Sequence, residues 1–147
     1  MKNMKQPPIA KVYEALTAIA SNRIELKDTE ALVYSSDGKK NYKVEWHENQ
    51  YSSNDNATFW QGYPGYPVIS VLLLQEKIPY DKELVPYLKD INWHELNEKY
   101  KRKYDEAIAE VLNSFDEKIK EAIVQDVQKI YDELLKMDLI IVKKISK

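Results

Sequence analysis

A chain of 147 residues with 44% hydrophobic and 31% charged residues has the size and balance of one folded domain, long enough to bury a core without staples. A net charge of −2 gives no global pull toward nucleic acid or acidic membranes, and the lack of cysteine excludes disulfides, thiolate metal sites and cysteine nucleophiles. Three glycines, Gly38, Gly62 and Gly65, cannot build a G-x-G-x-x-G fingerprint or a phosphate loop, so dinucleotide folds, P-loop enzymes and kinases drop out.

Met1 to Pro8 contains no apolar stretch of signal-peptide length, and the apolar runs Val71–Leu74 and Leu139–Val142 are too short to span a bilayer. The expectation is a cytoplasmic protein, one domain over 1–147, with loose termini at 1–6 and 143–147. The basic residues are nearly all lysine, Arg23 and Arg102 excepted. With abundant Glu and Tyr this suits a thermophile, though an AT-rich genome leaves the same bias.

Pro7-Pro8 leads into apolar residues at 9, 12, 13, 16, 19 and 20, which predicts a helix ending near Ser21-Asn22, with Pro8 at its first position. Glu30–Ser35 and Lys39–Trp46 flank Asp37-Gly38 and predict a β-hairpin. A three-residue loop would set Leu32 opposite Tyr42 and put Leu32, Tyr34, Tyr42, Val44 and Trp46 on one face. A two-residue turn would set Val33 opposite Tyr42 and send Leu32 and Tyr34 to the polar face, so the three-residue loop is preferred. Short strands are expected around Arg23–Leu26 and Glu48–Tyr51.

From Tyr51 to Pro67 the chain reads as a long loop carrying aromatics, with a short strand or helical turn at Ala57–Gln61 and a tandem Gly-Tyr-Pro repeat. Val68 to Leu74 is apolar on every side and closes in Gln75-Glu76-Lys77. A buried central helix opened by Pro67 follows, on which the other elements would pack. Tyr80–Leu88 suggests a short helix disturbed by Pro86.

Asn92 with Glu95 has capping-box spacing, and helical periodicity runs from there to Leu134. Unbroken to Met137, that helix would reach ~69 Å, against ~40 Å for a globule of this size. A second capping box, Ser114 to Glu117, predicts a break and an antiparallel pair of long helices. Leu139–Val142 suggests a last strand. From Ile91 to Lys147 there are 11 basic and 12 acidic residues, a net charge of −1. The fold class is α+β: a small antiparallel sheet packed with an N-terminal helix, a buried central helix and two long C-terminal helices.

Three constellations bear on function. Trp-His-Glu occurs at 46–48 and 93–95, so His47, Glu48, His94 and Glu98 would supply a metal site if they met. Two histidines beside buried tryptophans is the plainer account, and no cofactor or metal is expected. Lys99–Tyr104 interleaves cations with aromatics, as a phosphate-binding patch does, but Tyr100 and Tyr104 fall on the apolar stripe and acids flank the cations, so a solvated helix face is expected in place of a nucleic-acid site. In the aromatic loop, Asn54, Trp60, Tyr63 and Tyr66 could contact a ligand or partner, or could simply rigidify the entry to the central helix. With no catalytic signature, the expectation is a small non-catalytic binding protein that uses this loop or the C-terminal helices and associates with itself or another protein; the alternatives are a metal-dependent enzyme with a His/carboxylate site and a weak nucleic-acid binder through Lys99–Lys103.

Overall fold

The computed structural model describes residues 5–146. Its fold is mixed α+β. In chain order come α1 (Ala10–Ala20), β1 (Ile24–Leu26), β2 (Glu30–Tyr34), β3 (Asn41–His47), β4 (Gln50–Ser53), a π-helical turn (Ala57–Gln61), α2 (Tyr66–Leu74), a 3₁₀ turn (Val85–Leu88), α3 (Trp93–Lys99), α4 (Tyr104–Leu112), α5 (Glu117–Lys136) and β5 (Ile140–Ile141). The five strands stand in chain order, antiparallel except for the parallel β4–β5 pair.

Helix α2 is the centre. One side meets the sheet through β1, β3 and β4 and the other meets α1. Val68, Ile69, Val71, Leu72 and Leu73 are fully enclosed, each stabilising the fold by about 1.5–3 kcal/mol relative to exposure. Three β-branched residues lean toward strand, yet Pro67 in the first turn sacrifices no helical donor, and Ser70 Oγ closes the turn on the Pro67 carbonyl at 2.8 Å. The helix stops in a left-handed cap: Glu76, at φ 60°, directs Lys77 N–H to the Leu72 carbonyl.

α1 starts two residues after Pro8, whose carbonyl accepts from Lys11 N. It packs on α2 with one face and meets the 3₁₀ turn, α4 and α5 with the others.

The hairpin register corrects the sequence reading. Val33 stands opposite Tyr42 and Leu32 opposite Lys43. Neither a two- nor a three-residue loop joins the strands. Gly38 N–H bonds the Ser35 carbonyl, Ser35 N–H bonds the Lys40 carbonyl, and Gly38 takes φ 73°. The smaller residues set the register: Ala31, Val33 and Val44 are the fully buried side chains of the hairpin. Leu32 is left half-buried on the outer face, and Tyr34 is held there by Glu25.

The C-terminal region also departs from the expected pair of long helices. The break at Ser114–Asp116 is present, with Asp116 capping α5 through Ile119 N–H at 2.9 Å. A second break at Tyr100–Lys103 divides the preceding segment into α3 and α4. Lys101 and Arg102 there adopt φ 54° and 68°. The apolar stripe of α5, Ile123, Val127, Ile130 and Leu134, is buried within this chain, so the long seam finds its cover internally.

Of the termini expected to be loose, residues 1–4 and 147 lie outside the described residues. Ser146 is tied by two hydrogen bonds to the Gln50 side chain, at 3.0 and 3.1 Å. Lys143 Nζ sits 5.0 Å from both the Phe59 and Trp60 ring centroids.

Candidate functional site: a charged cleft holding both arginines

A cleft of about 500 Å³ opens where α1, the β2–β3 turn, the start of α2 and the α3–α4 corner meet. From α1 come Lys11 and Glu14, from the hairpin Asp37, Lys40 and Tyr42, from the loop Asn56, from the start of α2 Tyr66, and from the corner His94, Asn97, Glu98, Arg102 and Tyr104; Arg23 also lines it.

The two arginines arrive by the same local device. α1 ends with Asn22 at φ 56°, and Arg23 N–H turns back to the Ala18 carbonyl. α3 ends with Lys101 at φ 54°, and Arg102 N–H turns back to the Asn97 carbonyl at 2.7 Å. Each arginine thus follows a left-handed helix cap and lies beside the negative end of a helix dipole. Non-glycine residues pay roughly 1–2 kcal/mol to sit in that region, and such strain often gathers at functional sites.

Arg23 Nη1 donates to the Tyr34 carbonyl at 2.5 Å, and its guanidinium lies 5.9 Å from the Tyr66 ring centroid. Tyr66 in turn meets Tyr42 edge-on at 6.2 Å. Among the described residues, neither arginine nor Lys40 has a carboxylate within ion-pair distance, whereas Lys11 is paired with Glu14 at 3.3 Å.

The floor is electrostatically tight. Burial pushes the Glu14 carboxyl up; Lys11 pulls it down, Asp55 adds to the rise and Arg23 opposes it. Burial pulls the Lys11 ammonium down, but Glu14, with Tyr63 and Tyr104, outweighs that and leaves it raised. Burial pushes the Tyr66 phenol up to about 12 despite Arg23. Tyr42 is raised by burial, then by Asp55, Asp37 and Glu14. Behind this floor Asp55 is buried; its Oδ2 accepts from Thr58 N at 3.1 Å, while Oδ1 has no partner among the described residues.

The four loop residues singled out from sequence do not converge. Tyr66 lines the cleft. Tyr63 is half-buried and acts on Lys11 electrostatically. Asn54 faces the hairpin, its Oδ1 accepting from Lys43 N at 2.9 Å. Trp60 is 69% exposed and edge-on to Phe59 at 4.8 Å, beside Lys143.

His94 reaches the cleft, but His47 ends β3 next to Glu48 at 3.9 Å. No group of three His, Asp or Glu side chains able to hold a metal ion occurs among the described residues. In the basic cluster, Lys99 is engaged by Glu110 at 2.5 Å, and Tyr100 Oη donates to the same carboxylate at 2.6 Å. Tyr104 is not on the apolar stripe as expected; it is 36% exposed at the cleft rim.

Sequence reasoning missed Arg23, Lys11, Glu14 and Asn97 as site residues, and set Arg102 aside with the rest of the Lys99–Tyr104 cluster. The usable signal was composition: two arginines among 22 basic residues, where a planar five-donor fork differs from a lysine point charge.

Residues 4–140 match the family described as Uncharacterised conserved protein UCP014422. This chain belongs to that family. No curated protein and no solved structure matches it. No helix of the described residues is long and apolar enough to cross a membrane.

Proposed function

We propose that this is a cytoplasmic, non-catalytic binding protein that holds a small anionic molecule in the cleft. The observation carrying this reading is the convergence of Arg23 and Arg102, with no carboxylate partner among the described residues, on one concave surface. Arginine forks match carboxylate and phosphate bidentately, and charge-assisted bonds are about twice as strong as neutral ones.

Calorimetry with a panel of phosphate- and carboxylate-bearing small molecules tests this. At least one should bind the wild type, and Arg102→Ala should weaken it by tenfold or more while circular dichroism stays unchanged. No heat across the panel, or equal affinity in the variant, sinks the reading.

A second reading rests on Trp60. A tryptophan this exposed, braced by Phe59 and Lys143, has the makeup of a protein-contact anchor. It supports self-association or a protein partner through the outer corner of the aromatic loop. Light scattering should then show a mass above one chain that falls to one chain in Trp60→Ala; a monomeric wild type removes the self-association form.

A further inference from the structure

We propose that the anionic molecule is a nucleoside monophosphate, a refinement that rests on the binding role of the cleft. Its charge sets the number of phosphates. Lys11, Arg23, Lys40 and Arg102 stand against Glu14, Asp37 and Glu98, four cations to three anions, a balance of +1. One of those cations is already neutralised by Glu14. A triphosphate or a nucleic-acid strand would bring far more negative charge than a balance of +1 offsets, whereas a single phosphate carries about as much as the two arginines supply.

Two side-chain amides set the other end. Asn56 and Asn97 both line the cleft, and neither side chain has a hydrogen-bond partner among the described residues. Asn92 differs, because its amide caps α3 through Glu95 N at 3.0 Å and is committed to the helix. A phosphate or carboxylate accepts only, so it leaves an asparagine carbonyl idle. A molecule with donor and acceptor side by side on a planar edge engages both halves of the amide, and a nucleobase is such an edge.

Aromatic surface completes the fit. Tyr104 keeps a third of its surface open at the rim, two residues from Arg102, while the Tyr66 ring is already occupied by Arg23 and Tyr42. A base stacked on that ring gains affinity whatever its identity, because every base has a π-face. Glu98 on the α3 wall can accept from ribose hydroxyls, as acidic residues do in dinucleotide sites. The cleft volume of about 500 Å³ falls within the ~300–1,000 Å³ typical of small-molecule pockets.

The test is calorimetry with AMP, GMP, CMP and UMP beside ribose 5-phosphate and inorganic phosphate. One nucleotide should bind at least tenfold tighter than ribose 5-phosphate. Asn56→Ala with Asn97→Ala should remove that margin by weakening the nucleotide far more than ribose 5-phosphate, whereas Arg102→Ala should weaken both ligands. Tyr104→Ala should reduce the nucleotide margin by about fivefold to a hundredfold. If ribose 5-phosphate or phosphate binds as tightly as every nucleotide, the base is not read and this proposal falls, while the anion-binding cleft stands. If no anion binds, both fall.

Discussion

Trp93 Nε1 donates to Thr17 Oγ1 at 2.8 Å, joining α3 to α1 in a place neither residue shares with solvent. The indole also tilts against Tyr13, with ring centroids 5.9 Å apart. This link fixes the back of the cleft, because His94, Asn97 and Glu98 ride on the helix that Trp93 anchors.

Trp93→Phe should cost roughly 2–4 kcal/mol, combining a cavity with a buried hydroxyl left short of its donor. Thr17→Val should cost about 1 kcal/mol. The double variant should be more stable than the sum of the two losses, with a coupling of about 1 kcal/mol in urea denaturation. Strict additivity would show the hydrogen bond to be energetically silent.

Gly65 sits against Asp55 so closely that a Cβ on it would fall 2.1 Å from Asp55 Oδ2 and 3.2 Å from the Ala57 Cβ. Its backbone, at φ −76°, suits any residue, so the constraint is space alone. Asp55 is short, buried and pinned by Thr58 N, and cannot swing away. Gly65→Ala should therefore lose about 1–3 kcal/mol by overpacking. In an Asp55→Ala background the same change should cost well under half of that. An equal cost in both backgrounds would place the strain elsewhere.

Much of this fold could be read from the residues. Pro67 and the unbroken apolar run marked α2 as central, and the Ser114–Glu117 spacing marked the break before α5, although Asp116 caps that helix in place of Ser114. The register was not legible because size does not decide burial here: Ala31 and Val33 are fully buried and the larger Leu32 and Tyr34 are not. The α3–α4 break was hidden because its left-handed residues are Lys101 and Arg102. With three glycines in the chain, the usual signal for a helix end is missing. The cleft was illegible for a related reason: it gathers Arg23 and Arg102, 79 positions apart, at two helix ends, and only tertiary packing brings them together.

Those caps carry their own prediction. Lys101→Gly relieves a left-handed non-glycine residue, so it should raise stability by about 0.5–1 kcal/mol. Asp116→Ala removes the α5 cap and should lower it by about 1 kcal/mol. Denaturation midpoints moving in opposite directions would confirm the two cap types; a loss in Lys101→Gly would mean that its side chain does more than hold the turn.

Two phenols should titrate late. Burial pushes Tyr13 and Tyr66 up to about 12. Each folded-state value lies above the ordinary 10, so each tyrosine stabilises the fold fully below pH 10 and loses that contribution as pH rises toward 12. Ultraviolet titration should show a tyrosinate fraction delayed to near pH 12, reduced by one residue in Tyr66→Phe. A variant with the wild-type curve would mean that Tyr66 is solvated.

Glu14 gives the sharpest pH test of the cleft floor. Burial raises its carboxyl above the ordinary 4.5 although Lys11 lies 3.3 Å away. A raised acid keeps its proton longer in the folded chain than in the unfolded one. Its contribution is whole below pH 4.5 and is lost as pH climbs through the folded-state value. The stability of wild type minus that of Glu14→Gln should therefore fall as pH rises from about 4 toward neutrality, by about 1.4 kcal/mol for each tenfold difference in proton affinity. Lys11, Arg23, Asp55, Tyr42, Tyr63 and Tyr104 are the charged or titratable groups acting on this pair. Of these, Lys11 is the strongest opponent of the rise, so Lys11→Met should move the fall to higher pH and deepen it. Should the difference grow with pH instead, the ion pair outweighs desolvation, and the floor of the cleft is wetter than its burial implies.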